Sequence, residues 1–81
     1  MAQDRLQVLV AYIASSLVDD PDAVEVNVVE EDRAVVLELT VAPDDLGKVI
    51  GKEGRTARAM RTLLAATSAR MRKRAILDIL E

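Results

Sequence analysis

Two glycines three residues apart, with cationic side chains around them, form the stretch of this sequence best suited to chemistry. Gly51 and Gly54 enclose Lys52 and Glu53, and a basic stretch opens directly afterwards at Arg55. Glycine adopts backbone angles that a side chain forbids, and it lets another molecule approach the main chain closely. Backbone N–H groups at the start of a helix, with the positive end of its dipole, attract anions. The pattern predicts a phosphate-binding turn between two helices.

Two other phosphate-binding loops do not fit this stretch. A Walker A loop needs four residues between its glycines and a Ser or Thr after its lysine, whereas Gly47 and Gly51 enclose three residues and Glu53 follows Lys52. The G-x-G-x-x-G fingerprint of dinucleotide-binding proteins is absent. The sequence also lacks cysteine and histidine, which removes the commonest general base and thiolate metal sites. We therefore expect no catalysis, cofactor, metal or small-molecule substrate.

The charges are divided unevenly along the chain. Residues 1–45 contain two basic and eleven acidic side chains (net −9), and residues 46–81 contain nine basic and three acidic ones (net +6), which together give the net charge of −3. Such a separation favours an anionic polymer on one side of the molecule and repels it from the other. No apolar run is long enough to span a bilayer. The sequence predicts one cytoplasmic domain over residues 1–81.

Apolar periodicity predicts the elements that position the glycine turn. Residues 4–18 carry a helical stripe that includes Leu17, with Tyr12 at the edge of the core. Residues 23–30 and 34–41 alternate, which predicts an antiparallel hairpin. A short helix begins at Pro43, where Asp44 and Asp45 are interpreted as helix-start residues rather than metal ligands. A second helix follows the turn and continues to about Met71, and a final strand begins at Ala75.

The densest basic run, residues 70–74, has two interpretations. It is either a second phosphate contact or a solubilising helix end whose cations favour the helix dipole. The first interpretation adds secondary contacts along the second helix, the run and the last strand: Arg61, Arg72, Lys73, Arg74 and Ile76.

The segment Val49-Ile50-Gly51-Lys52-Glu53-Gly54 resembles the I/V-I-G-x-x-G signature of the KH domain, which binds single-stranded nucleic acid. The predicted order (helix, strand, strand, helix, helix, strand) matches the bacterial type II KH arrangement. The resemblance implies an α+β fold with three helices on one face of a three-stranded sheet. It covers nearly the whole chain, and at this length the sequence is similar to the small free-standing bacterial KH proteins of the KhpA family.

That family resemblance implies an RNA-binding protein that acts as an RNA chaperone with a larger KH protein of the KhpB (Jag) type. It also implies a link to cell elongation, cell shape and envelope growth. Two residues depart from the pattern: Ala57 replaces a larger apolar residue, and Glu53 partly cancels Lys52. The implied RNA contacts are the loop and its neighbours: Gly51, Lys52, Glu53, Gly54, Lys48, Ile50, Arg55 and Arg58.

Two other functions remain open on the sequence alone. The glycine turn could be purely structural in a protein-assembly module, or the same turn could bind single-stranded DNA, because it contacts backbone and only 2′-hydroxyl contacts favour RNA. Pairing two domains would raise affinity through effective concentration. An outward apolar patch is predicted to support a homodimer through Val29, Val36, Ile76 and Leu80.

Overall fold

The computed structural model describes residues 2–81, with side chains from Arg5 onward. Single 3₁₀ turns precede β1, α2 and α3, at Pro21–Ala23, Pro43–Asp45 and Lys52–Gly54. The helices and strands follow the order predicted from the sequence: α1 (Ala2–Leu17), β1 (Glu25–Glu30), β2 (Ala34–Thr40), α2 (Leu46–Ile50), α3 (Arg55–Thr67) and β3 (Arg74–Ile79).

The three strands form one mixed sheet in the order β1-β2-β3. The antiparallel pairing of β1 with β2, which places Val28 opposite Leu37, confirms the predicted hairpin. β3 pairs in parallel with β2, with Leu37 opposite Leu77. Parallel neighbours need a crossover connection, and here α2, the glycine turn and α3 provide it. The glycine turn therefore lies on the helical side of the sheet, and β3 is an edge strand.

The core lies between the inner face of the sheet and the helices. Alternate residues of β2 are buried, as are Leu77 of β3 and Met60 and Leu64 of α3. From α1 the buried residues are Leu6, Val10 and Ala14. The predicted α+β architecture of the type II KH fold, with its helices and strands in the order α-β-β-α-α-β, is confirmed.

The predicted apolar stripe of α1 is wrong at its end. Leu17 is 40% exposed and Tyr12, expected at the core edge, is 72% exposed. The buried residues Leu6, Val10 and Ala14 are instead spaced four apart. A row of residues four apart is inclined to the helix axis. The side of α1 that contacts the core therefore follows this row, which continues to Val18, a residue just beyond the helix that packs against the core.

α3 ends four residues earlier than predicted, at Thr67 rather than Met71. The Ser68 N–H still donates to the Leu64 carbonyl, after which the Met71 N–H turns back to the Ser68 carbonyl. Arg72 then adopts a left-handed conformation with φ of 60°. The chain has to reverse here because β3 runs parallel to β2, and this long-range pairing overrides the helical pattern of the sequence.

The outward apolar patch predicted for dimerisation is divided. Val29, Val36 and Ile76 lie side by side across the three strands. Asp78 occupies the outward position of β3 between Ile76 and Leu80, because side chains of one face recur every second residue. Leu80, 41% exposed, is therefore separated from the apolar row by a carboxylate.

Candidate nucleic-acid interface

The glycine turn interrupts the helical backbone between α2 and α3. Gly51 has φ 79° and ψ 169°, and Glu53 and Gly54 have φ 58° and 74°. Lys52 and Glu53 are exposed, and the glycines on either side are half-buried. The turn is thus neither continuous helix nor a buried bend, and its two central side chains face solvent.

The two glycines are required for different reasons. A Cβ built on Gly51 would lie 2.2 Å from Oγ1 of Thr56, in addition to its left-handed φ. A Cβ on Gly54 would meet only the Arg58 guanidinium, at 4.0 Å. Gly51 is therefore needed for close packing against the start of α3, whereas Gly54 is needed for its backbone angle alone.

Backbone hydrogen bonds change which amides face an anion. The N–H groups of Gly54 and Arg55, at the predicted start of the second helix, are not free: the Gly54 N–H donates to the Gly51 carbonyl and the Arg55 N–H to the Lys52 carbonyl. The first amides of a helical turn have no acceptor within it. The amides of Lys52 and Glu53 begin this turn, at its exposed tip, and are therefore the candidates to face an anion.

Two arginines of α3 contact the turn and stabilise it. The Arg58 guanidinium donates to the backbone carbonyl of Glu53 at 3.0 Å. Nη2 of Arg55 lies 3.7 Å from a carboxylate oxygen of Glu53, and both side chains are mostly exposed. Glu53 therefore occupies one cation of the site, and the ammonium group of Lys52 remains at the tip.

Lys48 has a different environment from the other cations. Its Nζ lies 3.1 Å from a carboxylate oxygen of Asp19 and 3.1 Å from one of Asp45. The Asp45 carboxylate, 2% exposed, also accepts the backbone N–H groups of Asp19 and Asp20 at 3.2 and 3.0 Å. These contacts connect the chain after α1 to the start of α2.

Sequence reasoning missed this role of Asp45. The sequence indicated that Asp45 caps its own helix, but its carboxylate makes no capping hydrogen bond there. The partners lie 25 and 26 residues earlier in the chain, and no local pattern connects positions so far apart. The only available signal was a second acidic residue, next to Asp44, at the start of a very short helix.

The contacts shift two pKa values in opposite directions. Burial raises the pKa of the Asp45 carboxyl, but hydrogen bonds from the Asp19 and Asp20 backbone and from Lys48 outweigh it, so the net pKa lies below 3.8. The hydrogen bond to Asp19, followed by that to Asp45, raises the pKa of Lys48 above 10.5. Both groups are charged at neutral pH.

A groove of about 380 Å³ runs between α3 and the edge strand β3. The Arg61 guanidinium reaches across it and donates to the Leu77 backbone carbonyl at 3.3 Å. Its walls combine two cations with small and apolar side chains: Arg61, Ala65, Arg74, Ala75, Ile76 and Leu77. Ile50 is not among these lining residues.

The basic run of residues 70–74 lies in the link after α3 and at the first position of β3, so it is not the last turn of a helix. Nζ of Lys73 lies 2.6 Å from a Glu30 carboxylate oxygen. Arg70, Arg72 and Arg74 are exposed. The run therefore contains one cation held in an ion pair and three arginines open to solvent.

No helix within residues 2–81 is long and apolar enough to cross a membrane. Among the side chains of residues 5–81, no group of three or more carboxylate, imidazole or thiolate groups is arranged to hold a metal ion.

Residues 7–79 match the family described as KhpA/KhpB, KH domain. The chain belongs to this family. The match spans both helices around the glycine turn and all three strands, so it agrees with the observed order of elements. Among solved structures, none matches the chain at a significant level.

Curated bacterial relatives are similar over most of the chain. The RNA-binding protein KhpA of Caldanaerobacter subterraneus is 53% identical over 72 residues, which cover 89% of this chain and 96% of the relative. The protein of the same name from Aquifex aeolicus is 50% identical over 94% of this chain and 96% of its own length. The protein of the same name from Borreliella burgdorferi is 48% identical over 90% of this chain and 89% of its own length.

Proposed function

We propose that this protein binds single-stranded RNA by gripping the sugar–phosphate backbone with the Gly51–Gly54 turn. The observation that carries the proposal is the exposed left-handed turn at the start of α3, with the amides of Lys52 and Glu53 at its tip. The curated KhpA relatives carry the name RNA-binding protein, which supports RNA as the ligand. A KH loop of this kind clamps about four nucleotides.

The surrounding residues have different roles in this proposal. Lys52 and Arg55 contact phosphates, and Arg58 stabilises the turn through the Glu53 carbonyl while its exposed side chain adds positive charge. The bases lie in the groove between α3 and β3, against Ile76 and next to Arg61. Lys48 acts mainly by connecting α1 to α2, because its ammonium group already contacts two carboxylates.

Charge reversal at the tip of the turn tests the proposal. Replacing Lys52→Asp and Glu53→Asp should reduce RNA affinity at least about tenfold, because a second carboxylate takes the place of the cation at the proposed phosphate site. Fluorescence anisotropy with a labelled oligoribonucleotide measures the loss. Arg5→Gln, on the exposed surface of α1, is the matched control and should bind normally. Unchanged affinity of the double variant, with an unchanged melting temperature, would refute the clamp.

Salt dependence gives an independent estimate of the number of phosphates engaged. If about three phosphates bind, log K should fall with log salt at a slope near −2, since each contact on a single strand contributes about −0.7. Titrations between low and moderate salt with a short oligomer measure this slope. A slope near zero would contradict a backbone clamp.

RNA and DNA are distinguished by competition. The turn contacts backbone groups present in both polymers, and only contacts to the 2′-hydroxyl favour RNA. We expect a matched RNA oligomer to displace a labelled RNA more effectively than the DNA oligomer of the same sequence. Equal displacement would assign the site to single strands in general.

We further propose that the protein works in the cytoplasm as an RNA chaperone beside a KhpB-type KH protein, with effects on cell elongation and envelope growth. A domain that holds about four nucleotides gains affinity when paired with a second one. Co-purification of a tagged chain, with and without nuclease treatment, tests the pairing. If no second KH protein is recovered in either case, the partner assignment fails.

A further inference from the structure

The end of the molecule opposite the glycine turn has its own set of cations. The β1–β2 turn and the link from α3 to β3 meet there, since the Arg74 N–H donates to the Arg33 carbonyl at 3.0 Å. Ala34 and Arg74 are directly paired in the sheet. We call the four exposed arginines at this end the arginine cluster: Arg33, Arg70, Arg72 and Arg74.

The side chains of the cluster are available for a ligand. In the part of the chain whose side chains are described, none of the four guanidinium groups forms an ion pair, whereas the neighbouring Lys73 is paired with Glu30. Glu31 and Asp32 also lie in the β1–β2 turn. Five cations face three carboxylates at this end, so the local charge is +2. The ion pair between Lys73 and Glu30 does not use the arginines.

The groove connects the cluster to the glycine turn. α3 has 13 residues and is therefore about 20 Å long, with the turn at its first residue and the link to the cluster after its last. Arg61 lies midway along this path, and Arg74 belongs to both the groove and the cluster. A strand that leaves the turn along the groove reaches the cluster after about four nucleotides, the length that a KH loop clamps.

The backbone of the link presents its arginines outward. Arg72 has a φ of 60°, which is uncommon for a residue with a Cβ. Its neighbours Arg70 and Arg74 are also exposed, while Met71 between them packs against the core. The anchored Met71 and the left-handed Arg72 hold the arginines on the surface at the mouth of the groove.

We propose that the arginine cluster is a second phosphate-binding surface, which holds the nucleotides that extend beyond those gripped by the glycine turn. The site on a single chain is then longer than the four-nucleotide clamp. This inference rests on the proposed RNA-binding function, and it assigns to Arg33 and Arg70 a contact that the glycine turn alone does not need.

Two oligoribonucleotides, of about four and about ten nucleotides, test the proposal. For the unmodified protein, the salt slope of log K should be steeper with the longer oligomer. In the variant Arg33→Gln, Arg70→Gln, Arg72→Gln, the slope for the longer oligomer should become shallower by about 2, since each lost phosphate contact removes about 0.7. The slope for the shorter oligomer should not change.

Arg5→Gln is the control, because it removes an exposed cation on α1, outside the arginine cluster, and it should leave both slopes unchanged. Equal slopes for the two lengths in the unmodified protein, or an unaltered long-oligomer slope in the triple variant, would overturn the proposal. The clamp is judged separately by Lys52→Asp with Glu53→Asp: loss of short-oligomer binding there, beside an unaffected triple variant, would retain the clamp and reject the cluster.

Discussion

The three glycines of this chain occupy positions with different tolerance for a side chain. Gly51→Ala should destabilise the fold by about 1–3 kcal/mol, through its left-handed φ and the contact of the new Cβ with Thr56. Gly54→Ala should cost less, because only its backbone angle is unfavourable. Gly47→Ala, in the α2 helix with nothing within 4 Å, should stabilise by about 0.5–1 kcal/mol. Urea denaturation of the three variants measures this order, and Gly51→Ala more stable than Gly54→Ala would contradict it.

Glu53 adds a negative charge to the proposed RNA site. Its carboxylate pairs with Arg55 and lies next to the amides proposed to bind phosphate. Glu53→Gln should therefore raise RNA affinity by up to about fivefold, the range of a surface ion pair of about 1 kcal/mol. Anisotropy titrations at low salt measure the gain, which should shrink at high salt as screening increases.

Glu25→Gln is the control for this effect, since Glu25 is exposed on β1 away from the turn and loses the same charge. An equal gain in both variants would mean that net charge, and not the position of Glu53, sets the affinity.

Single residues were predicted unevenly from the sequence. The turn and its cations were found because glycine spacing and charge are local signals. Tyr12 was misplaced because apolar character alone does not show where a helix contacts the sheet. Arg61 was predicted as a contact, but its hydrogen bond to Leu77 joins residues 16 apart and has no sequence signature.

At the scale of elements, α2 depends on its surroundings. A helix of five residues is too short to be stable alone, and Asp45 connects it to the chain after α1. Asp45→Asn should lower the free energy of unfolding at neutral pH, because the carboxylate loses its ion pair with Lys48 and weakens two backbone hydrogen bonds. Asp44→Asn, at an exposed neighbour, should change stability little, as measured by urea denaturation.

The pH dependence of stability should show the same contact. Folding lowers the pKa of Asp45 from 3.8. The Asp45 carboxylate therefore adds its full share to the free energy of unfolding above that pH, and this share is lost as pH falls through the lower folded pKa. Folding raises the pKa of Lys48 from 10.5, so its ammonium group stabilises the fold fully below that pH, and this stabilisation is lost as pH rises through the folded pKa. Denaturation from pH 2 to 7 should give a shallower acid limb for Asp45→Asn than for the unmodified protein. An identical acid limb would exclude Asp45 as a source of acid sensitivity.

Most elements were predictable because periodicity is a strong signal where one face is buried. The alternation in β2 matches its burial pattern residue for residue. The end of α3 was not predictable, because Ser68 to Met71 continue a helical pattern while the parallel pairing of β3 requires the chain to turn. The parallel pairing of β3 with β2 depends on the crossover connection between them. The residue types at positions 70–74 do not show this pairing direction.

At the scale of the whole molecule, part of the charge division of the sequence becomes a division between surfaces. Glu25 and Glu38 lie on the open face of the sheet, and the helices pack on the other face. Glu25→Gln with Glu38→Gln should leave RNA affinity unchanged at physiological salt, where charges are screened beyond about 8 Å. At about 0.01 M salt, where unscreened charges act over about 30 Å, the rate of RNA association should rise. Stopped-flow fluorescence at both salt concentrations measures this, and a rise at physiological salt would place RNA on the acidic face.

The hydrogen bond from Arg61 to Leu77 has a consequence for solubility. β3 is an edge strand, and an unpaired edge can recruit strands of other chains into an aggregate. Arg61 covers one of the exposed carbonyl groups and brings a charge to this edge, while Arg74 charges its beginning. Arg61→Ala would therefore be expected to make concentrated samples of the free protein more prone to form β-rich aggregates, quite apart from any loss of ligand binding.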